Sequence, residues 1–340
     1  MVIPQMMRAL AGDSLDGPEV FSLRTLPVPQ PGAGEVLVEV EAVSFGYVDG
    51  LIARGLYQLK PPVPYVPGAE IVGRVVSIGS DVINHAVGDR VATWQLARGG
   101  GTADYALLDA GWTVAVPEGL DAAGVAGMML DYLTAHYALF DRGGLQPGEG
   151  VLVLGAAGGV GSAAVRIAAG AGAIVVAGAS TAAKRKAALD AGASAAIDYL
   201  AEDWRDALRA AHPASGIAMV VDTVGGSTFE GAFRSLAKGG RHMVLGFAGG
   251  DIPRLPANLP LLKSGALIGV DARHLVESDI ERAKQIWDEL LARIAAGQLA
   301  LPTVHAFPLD RSGEALSALL DREKPGKIVV RHAGGAPETV

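Results

Sequence analysis

In the stretch GEVLVEVEAV (34–43), Val36, Val38, Val40 and Ala42 alternate with Leu37, Glu39 and Glu41. A period of two with one apolar face is what a half-buried strand requires. AEIVGRVVSIGSDV (69–82) and GDRVATW (88–94) predict further strands, set off by clusters of Gly, Asp, Pro and Asn. PVPQPGAGE (27–35) reads as the turn that feeds the first of these strands. Residues 6–127 are therefore expected to be mostly β.

Near residue 128 the pattern changes. Apolar runs at 151–155, 174–178, 194–198, 217–222 and 242–247 alternate with helical segments at 159–171, 181–191, 201–211 and 227–238. Alternation of this kind predicts a parallel sheet covered by helices on both faces. ALIGVDA (266–272) follows, then a long helix over DIERAKQIWDELLARIAAGQ (279–298), closed by Gly297. HAFPL, the helix SGEALSALLDRE (312–323) and the strand GKIVVR complete the chain. This last part is too short for a core of its own and is expected to pack on the N-terminal β region. One domain would then be inserted in the other: 1–127 with 273–340, and 128–272 between them.

Composition narrows the function classes. With half of its 340 residues hydrophobic and 19% charged, the chain has material for two ordinary cores. No window is apolar enough for a membrane span, and MVIPQMMRAL lacks the basic and apolar regions of an export signal. A net charge of −8 and the lack of a basic stripe disfavour nucleic acid. The absence of cysteine removes disulfides, thiolate catalysis and Cys-ligated metal together. It also fits the reducing cytoplasm, where the protein is expected to reside.

The densest chemical signal is VLVLGAAGGVGSAAV, with glycine at 155, 158, 159 and 161. A P-loop needs Lys and then Ser or Thr after the last glycine, but Gly161 is followed by Ser162 and Ala163. A dinucleotide turn fits, with Ala156 in the first glycine position of G-x-G-x-x-G and Val160 inside the motif. The turn follows a strand, opens a helix and starts consecutive βα units, which is the context the motif needs. Gly158 would let the backbone approach a pyrophosphate, and Gly161 would let the helix pack closely on the strand. An NAD site carries an acid about twenty residues on. Here the next strand ends Ala177-Gly178-Ala179-Ser180-Thr181, followed by Lys184 and Arg185. Hydroxyls and cations in place of an acid favour the 2′-phosphate of NADPH.

These features, with RGLYQLKPPVPYVPGAEIVGRVVSIGSDV (54–82), LTAHYAL (133–139), AGASAAIDY (191–199), VVDTVGG (220–226) and GKIVV (326–330), resemble the medium-chain dehydrogenase/reductase superfamily over nearly the whole chain. Within it, the resemblance is to the zinc-independent NADPH:quinone oxidoreductase branch. It implies a Rossmann-type doubly wound parallel sheet inserted into a GroES-like, mostly β catalytic domain. Zinc-dependent members bind the metal with a Cys and the His of a Gly-His-Glu motif; those positions correspond here to Gly46 and Ala69, with only Glu70 kept. No metal site is expected, because one carboxylate does not make a tetrahedral site.

For the cofactor, the resemblance implies Ser180, Thr181, Lys184 and Tyr199 around the 2′-phosphate, and Gly155, Ala156, Gly158, Gly159, Val160 and Gly161 at the pyrophosphate. Thr134, Gly246 and Phe247 fall near the nicotinamide, and Asp222 and Thr223 near the adenosine side. Asp131 falls where relatives can carry Lys. The family's Asn-aromatic-x-Asp segment reads Gly46-Tyr47-Val48-Asp49 here, so the Asn amide is lost. Tyr47 or Tyr57 could donate a hydroxyl in its place, Tyr57 matching the proton donor of related 2-enoyl reductases; both could equally be packing aromatics.

The chemistry left without a metal is hydride delivery to a self-polarising acceptor, a quinone or an α,β-unsaturated carbonyl. An enoyl-thioester reductase using Tyr57 is an alternative, and a protein that binds NADPH without turnover is another of a different class. The apolar segments RHMVLGFAGG and ALIGVDA would form an edge that could pair two copies into a homodimer.

Overall fold

The computed structural model describes residues 2–320 and 326–332. In chain order, the N-terminal part holds β1 (Met6–Gly12), β2 (Phe21–Pro27), β3 (Glu35–Phe45), α1 (Tyr47–Ile52), β4 (Glu70–Ile78), β5 (Arg90–Trp94), β6 (Tyr105–Asp109), β7 (Val114–Ala115) and α2 (Ala122–His136). Then come β8 (Gly150–Leu154), α3 (Gly159–Gly170), β9 (Ile174–Gly178), α4 (Ala182–Asp190), β10 (Ala195–Ile197), α5 (Trp204–Ala211), β11 (Ile217–Asp222) and α6 (Phe229–Arg234). The remainder is β12 (Leu236–Val244), α7 (Asn258–Lys263), β13 (Ala266–Gly269), α8 (Ala272–Ser278), α9 (Ile280–Ala295), β14 (Val304–Pro308), α10 (Ser312–Ser317) and β15 (Lys327–Arg331).

Two compact units result: residues 1–130, 287–295 and 301–340, and residues 131–286 with 296–300. The second unit thus takes in 273–286, which the alternation of strands and helices alone had assigned to the flanking domain. Residues 128–130 stay with the first unit. Residues 321–325 and 333–340, including the expected end of the 312–323 helix, lie outside the described residues; among the described residues that helix is α10 followed by a 3-10 turn at Ala318–Leu320.

The first unit is built on β3, whose eleven residues reach three partners. One edge pairs antiparallel with β4, Val40 opposite Gly73; the other is shared by β6, opposite Glu35–Glu39, and β15, opposite Ala42–Phe45. β14 adds parallel to β15, so the C-terminal strands do complete the N-terminal sheet. The predicted alternation holds for Val36, Val38, Val40 and Ala42, all buried, but Leu37 on the opposite face is buried too. It sits with Val28 and Tyr105 in a small second cluster, covered further by Ile3, Met7, Val76 and Leu107.

The second unit is a six-stranded parallel sheet in the order β10-β9-β8-β11-β12-β13. The strand order reverses between β8 and β11, the switch point where doubly wound sheets bind ligands at their carboxyl ends. All five β8 residues are buried, as expected for a strand covered on both faces. Leu152, Leu154, Val176, Val220, Leu208 and Phe233 pack one such face.

Several elements differ from the sequence expectation: the helices α1 and α7 were not expected, and β12 and α8 depart from it as follows. β12 begins at Leu236, where a helix to 238 was expected, and ends at Val244 rather than 247. Its register against β11 jumps from Ile217↔Leu236 to Met219↔Arg241, and Gly239, at φ 75°, helps absorb the extra residues. The glycines thus carry an irregular strand rather than ending a helix. The helix α8 was not expected; Asp271 starts it by accepting from the amides of Arg273 at 2.9 Å and His274 at 3.4 Å.

Candidate active site

The glycine turn links β8 to α3. Gly155 adopts φ 72°, and a Cβ there would run into the Thr223 hydroxyl. The Gly158 amide donates to the Gly155 carbonyl at 2.9 Å, and Gly158 caps α3 with no side-chain hydrogen bond. Gly158 thus brings no side chain over the first turn of α3, the end of a helix that favours an anion. A Cβ at Gly161 would overlap the Gly155 carbonyl oxygen and lie 3.0 Å from Ala156 Cα, so the first turn of α3 packs directly on the backbone of the turn that leaves β8. Val160 follows on the same turn, half-buried, whereas Gly158 and Gly159 are exposed. Ala156 is fully buried and its amide donates to Gly178 at 3.1 Å; it ties the turn to β9 and has no side-chain surface for a ligand. Gly159 faces the Asp131 carboxylate, which lies where any Cβ would go. Sequence spacing gives no sign of that contact.

At the end of β9, Thr181 caps α4, its Oγ1 accepting from the Lys184 amide at 3.2 Å. Ser180, Thr181, Lys184 and Tyr199 are all half-buried, and the Tyr199 ring packs close to Gly178, whose added Cβ would lie 3.3 Å from it. Arg185 reaches across the same strand ends, donating to the Ala179 carbonyl at 3.1 Å and to Asp198 at 2.9 Å. Hydroxyl, ammonium and phenol are gathered here with no acid on β9, while the Arg185 charge is already matched by Asp198.

Asp222 requires a correction. Its side chain is fully buried, with Oδ1 accepting from the amides of Val224 and Gly225, each at 2.8 Å, and Oδ2 lying 3.0 Å from His242 Nε2. A carboxylate so enclosed shapes the turn after β11 and has no free edge for a ligand. Thr223 does face the glycine turn, its hydroxyl donating to Leu154 O at 3.0 Å. Gly246 and Phe247 lie beyond the end of β12; Phe247 is exposed, and both line a pocket of about 580 Å³ with Tyr137, Arg142, Val270 and Asp271. Thr134, on α2, is buried.

In the first unit, Gly46 caps α1. Its amide donates to Asp49 Oδ2 at 2.8 Å, and the Gly68 amide donates to Oδ1 at 3.2 Å. Burial pushes the Asp49 pKa up to about 6, against the pull of these amides and of Lys327. Asp49 is thus a structural acceptor. Ala69 is fully buried, and Glu70 beside it accepts from the Leu130 amide at 3.0 Å through Oε2, while its Oε1 forms an ion pair with Lys327 Nζ at 2.8 Å. Tyr47 is 61% exposed at the start of α1 and Tyr57 is half-buried in the loop beyond it. Tyr65, which sequence reasoning passed over, is 2% exposed and burial raises its phenol pKa well above the usual range, so it cannot meet a ligand.

Residues 32–138 match the family model of the alcohol dehydrogenase GroES-like domain, and 159–294 that of the zinc-binding dehydrogenase. The chain is 34% identical to the quinone oxidoreductase-like protein 2 homolog of Nematostella vectensis over 88% of its own length and 82% of the relative's. It is 30% identical to the quinone oxidoreductase of Rattus norvegicus, over 96% of this chain and 98% of that one. The chain belongs to the medium-chain dehydrogenase/reductase superfamily.

Its place within this superfamily of nicotinamide-dependent oxidoreductases is the quinone oxidoreductase branch. A solved mycobacterial structure complexed with NADPH superposes with a TM-score of 0.84 at 30% identity, covering 96% of this chain and 99% of its own. Although one matching family model is described as zinc-binding, the donor set here does not fit a zinc ion. Gly46 and Ala69 offer no ligand atom, and both Glu70 oxygens are engaged within the chain. Among the described residues, no three His, Cys, Asp or Glu side chains converge on one point. A nicotinamide dinucleotide does fit: Gly158 opens α3 without a capping side chain, and the strand ends beside it carry the cation and hydroxyls. Among the described residues, no helix is long and apolar enough to cross a membrane.

Proposed function

We propose that this oxidoreductase is a zinc-free, NADPH-dependent reductase that delivers hydride to a quinone or an α,β-unsaturated carbonyl. The observation that carries the reading is the engagement of Glu70 by Lys327 and the Leu130 amide, beside Gly46 and Ala69, where zinc-dependent relatives need ligands. When bound, the reduced nicotinamide supplies the hydride. The amides of the Gly155–Gly161 turn hold the pyrophosphate, and Ser180, Lys184 and Tyr199 hold the 2′-phosphate. Thr134, Gly246 and Phe247 orient the nicotinamide half. A conjugated acceptor spreads negative charge onto its own oxygen, so the protein's task is placement, exclusion of water and one hydrogen bond, from Tyr47 or Tyr57.

Within this reading, the GroES-like unit carries the substrate side and the parallel-sheet unit the cofactor. The protein works in the cytoplasm on a small molecule, with neither nucleic acid nor membrane as partner. Two copies pair along β13, the edge strand whose Leu267, with Leu261 and Leu262 of α7, is exposed. The half-buried setting of Tyr57 favours one second reading, an enoyl-thioester reductase in which that phenol is the proton donor.

The test is oxidation of NADPH and of NADH, offered an ortho-quinone, an enone and an enoyl thioester separately, in excess chelator. Turnover with NADPH is expected to survive the chelator, and Lys184→Ala should raise KM for NADPH about tenfold, the worth of one charge-assisted hydrogen bond, while leaving KM for NADH unchanged. Loss of turnover on chelation would overturn the zinc-free reading. Turnover of the thioester alone, abolished in Tyr57→Phe, would favour the second. NADPH binding with no turnover of any acceptor would leave a binding protein.

A further inference from the structure

His242 lies on β12, fully buried, in a slot lined by aromatic rings. The Phe229 ring centroid is 4.4 Å from its own, tilted by 38°, and that of Phe233 is 6.0 Å away at 18°. Its Nε2 is 3.0 Å from Asp222 Oδ2, and its Nδ1 is buried with no hydrogen-bond partner among the described residues. A leucine or methionine would fill such a slot without orphaning a nitrogen, so the histidine is a poor choice for packing alone. What it gains is a donor to Asp222, which would otherwise be a buried carboxylate with one oxygen unmatched.

Asp222 passes that support on. Through Oδ1 it fixes the Val224 and Gly225 amides, and so the turn at 223–226, where Gly225 and Gly226 take φ 64° and 60°. The turn stands between two walls of the cofactor region. On one side the Thr223 hydroxyl lies against Gly155 and donates to Leu154 O. On the other, Ala248 N donates to Thr223 O at 3.1 Å and Gly249 N to Val224 O at 2.8 Å, while a Cβ on Gly225 would stand 2.9 Å from the Phe247 ring. A shift of this turn would move the pyrophosphate turn and the Gly246–Phe247 loop together.

We propose that His242 is a positioning residue for the cofactor: by donating to Asp222 it sets the 223–226 turn, and with it the spacing between the glycine turn and Phe247. The inference rests on the proposal that this region binds NADPH.

The experiment compares the wild type with His242→Leu and His242→Gln, the first filling the slot and the second restoring a donor of similar reach. NADPH fluorescence titration gives Kd, steady-state assays separate KM from kcat, and amide hydrogen exchange reports on Val224 and Gly225 without any cofactor. In His242→Leu, Kd and KM for NADPH should rise about tenfold with kcat within about twofold, and exchange at both amides should quicken at least tenfold. His242→Gln should recover most of both. Equal impairment of Leu and Gln variants, or His242→Leu with unchanged Kd and unchanged exchange, would overturn the proposal. If His242→Leu does not fold, His242→Met, which also lacks a donor to Asp222, must by itself speed exchange at the two amides, and protection as in the wild type would overturn the proposal. Wild-type protein that binds no NADPH would sink the cofactor reading and this proposal with it. Quickened exchange with unchanged Kd would leave NADPH binding intact and refute only the link from turn to cofactor.

Discussion

At Gly161 a Cβ would overlap the Gly155 carbonyl oxygen, whereas at Gly46 it would meet Asp49 Oδ2 at 3.5 Å, Glu70 Oε1 at 3.6 Å and Leu130 Cδ2 at 3.9 Å, all ordinary contacts. One glycine is forced by geometry and the other is not. In the parallel-sheet unit, backbone touches backbone, and the residue type follows from the approach of α3 to the turn that leaves β8. In the GroES-like unit, no close backbone contact demands the glycine at 46, where the family resemblance implies an Asn. The contrast separates residues a fold dictates from residues a reaction dictates.

The largest expected effect comes from breaking the forced side. Gly161→Val should cost about 3 kcal/mol of stability through overpacking and abolish measurable NADPH binding, as read by thermal melts and fluorescence titration. A variant that melts and binds like the wild type would show that α3 can slide off the strand and that the close approach is not required.

An intermediate effect is expected at Asp49, the buried acceptor between the Gly46 and Gly68 amides. Its pKa is raised from the ordinary 3.8 to about 6. The unfolded chain therefore releases this proton first, and the group's contribution to stability falls as pH rises from about 4 to about 6, then levels off. Asp49→Asn has no such titration. Its stability relative to the wild type should improve between pH 4 and pH 7, by about 3 kcal/mol at most at 1.36 kcal/mol for each pKa unit. An unchanged difference between the two proteins at the two pH values would show instead that folding leaves the Asp49 pKa where the unfolded chain has it.

The smallest effect sharpens the permissive side. Gly46→Asn, at a buried position where a Cβ meets only ordinary contacts, should cost about 1 kcal/mol of stability, and should raise turnover of an enone severalfold by returning an amide donor. A large loss of stability would mean that the space at Gly46 is not available to a side chain.

Much of this could be read from residue order because the signals are local. The βα alternation, the strand-turn-helix setting of the glycines, the acid-free end of β9 and the stop of α9 at Gly297 each sit within a few consecutive residues. What escaped depends on partners distant in sequence. Leu37 looked solvent-facing until Val28 and Tyr105 covered it. Asp222 looked like a ligand because strand ends line the crevice, but a histidine twenty residues away turns its carboxylate inward. The early start of β12 rests on a register jump that only pairing with β11 reveals. Arg185 seemed one more cation for a phosphate until Asp198 claimed it. The tyrosines illustrate the opposite limit, because a phenol's role depends on the bound acceptor, which neither spacing nor burial specifies.

The pair between Lys327 and Glu70 has a further consequence. A metal ion must be captured from the surroundings, competes with other ions for its ligands and can be removed again. An ammonium carried on β15 is delivered when the strand pairs with β3, and its local concentration never changes. The positive charge beside Gly46 is therefore indifferent to trace-metal supply and becomes available at the moment of folding.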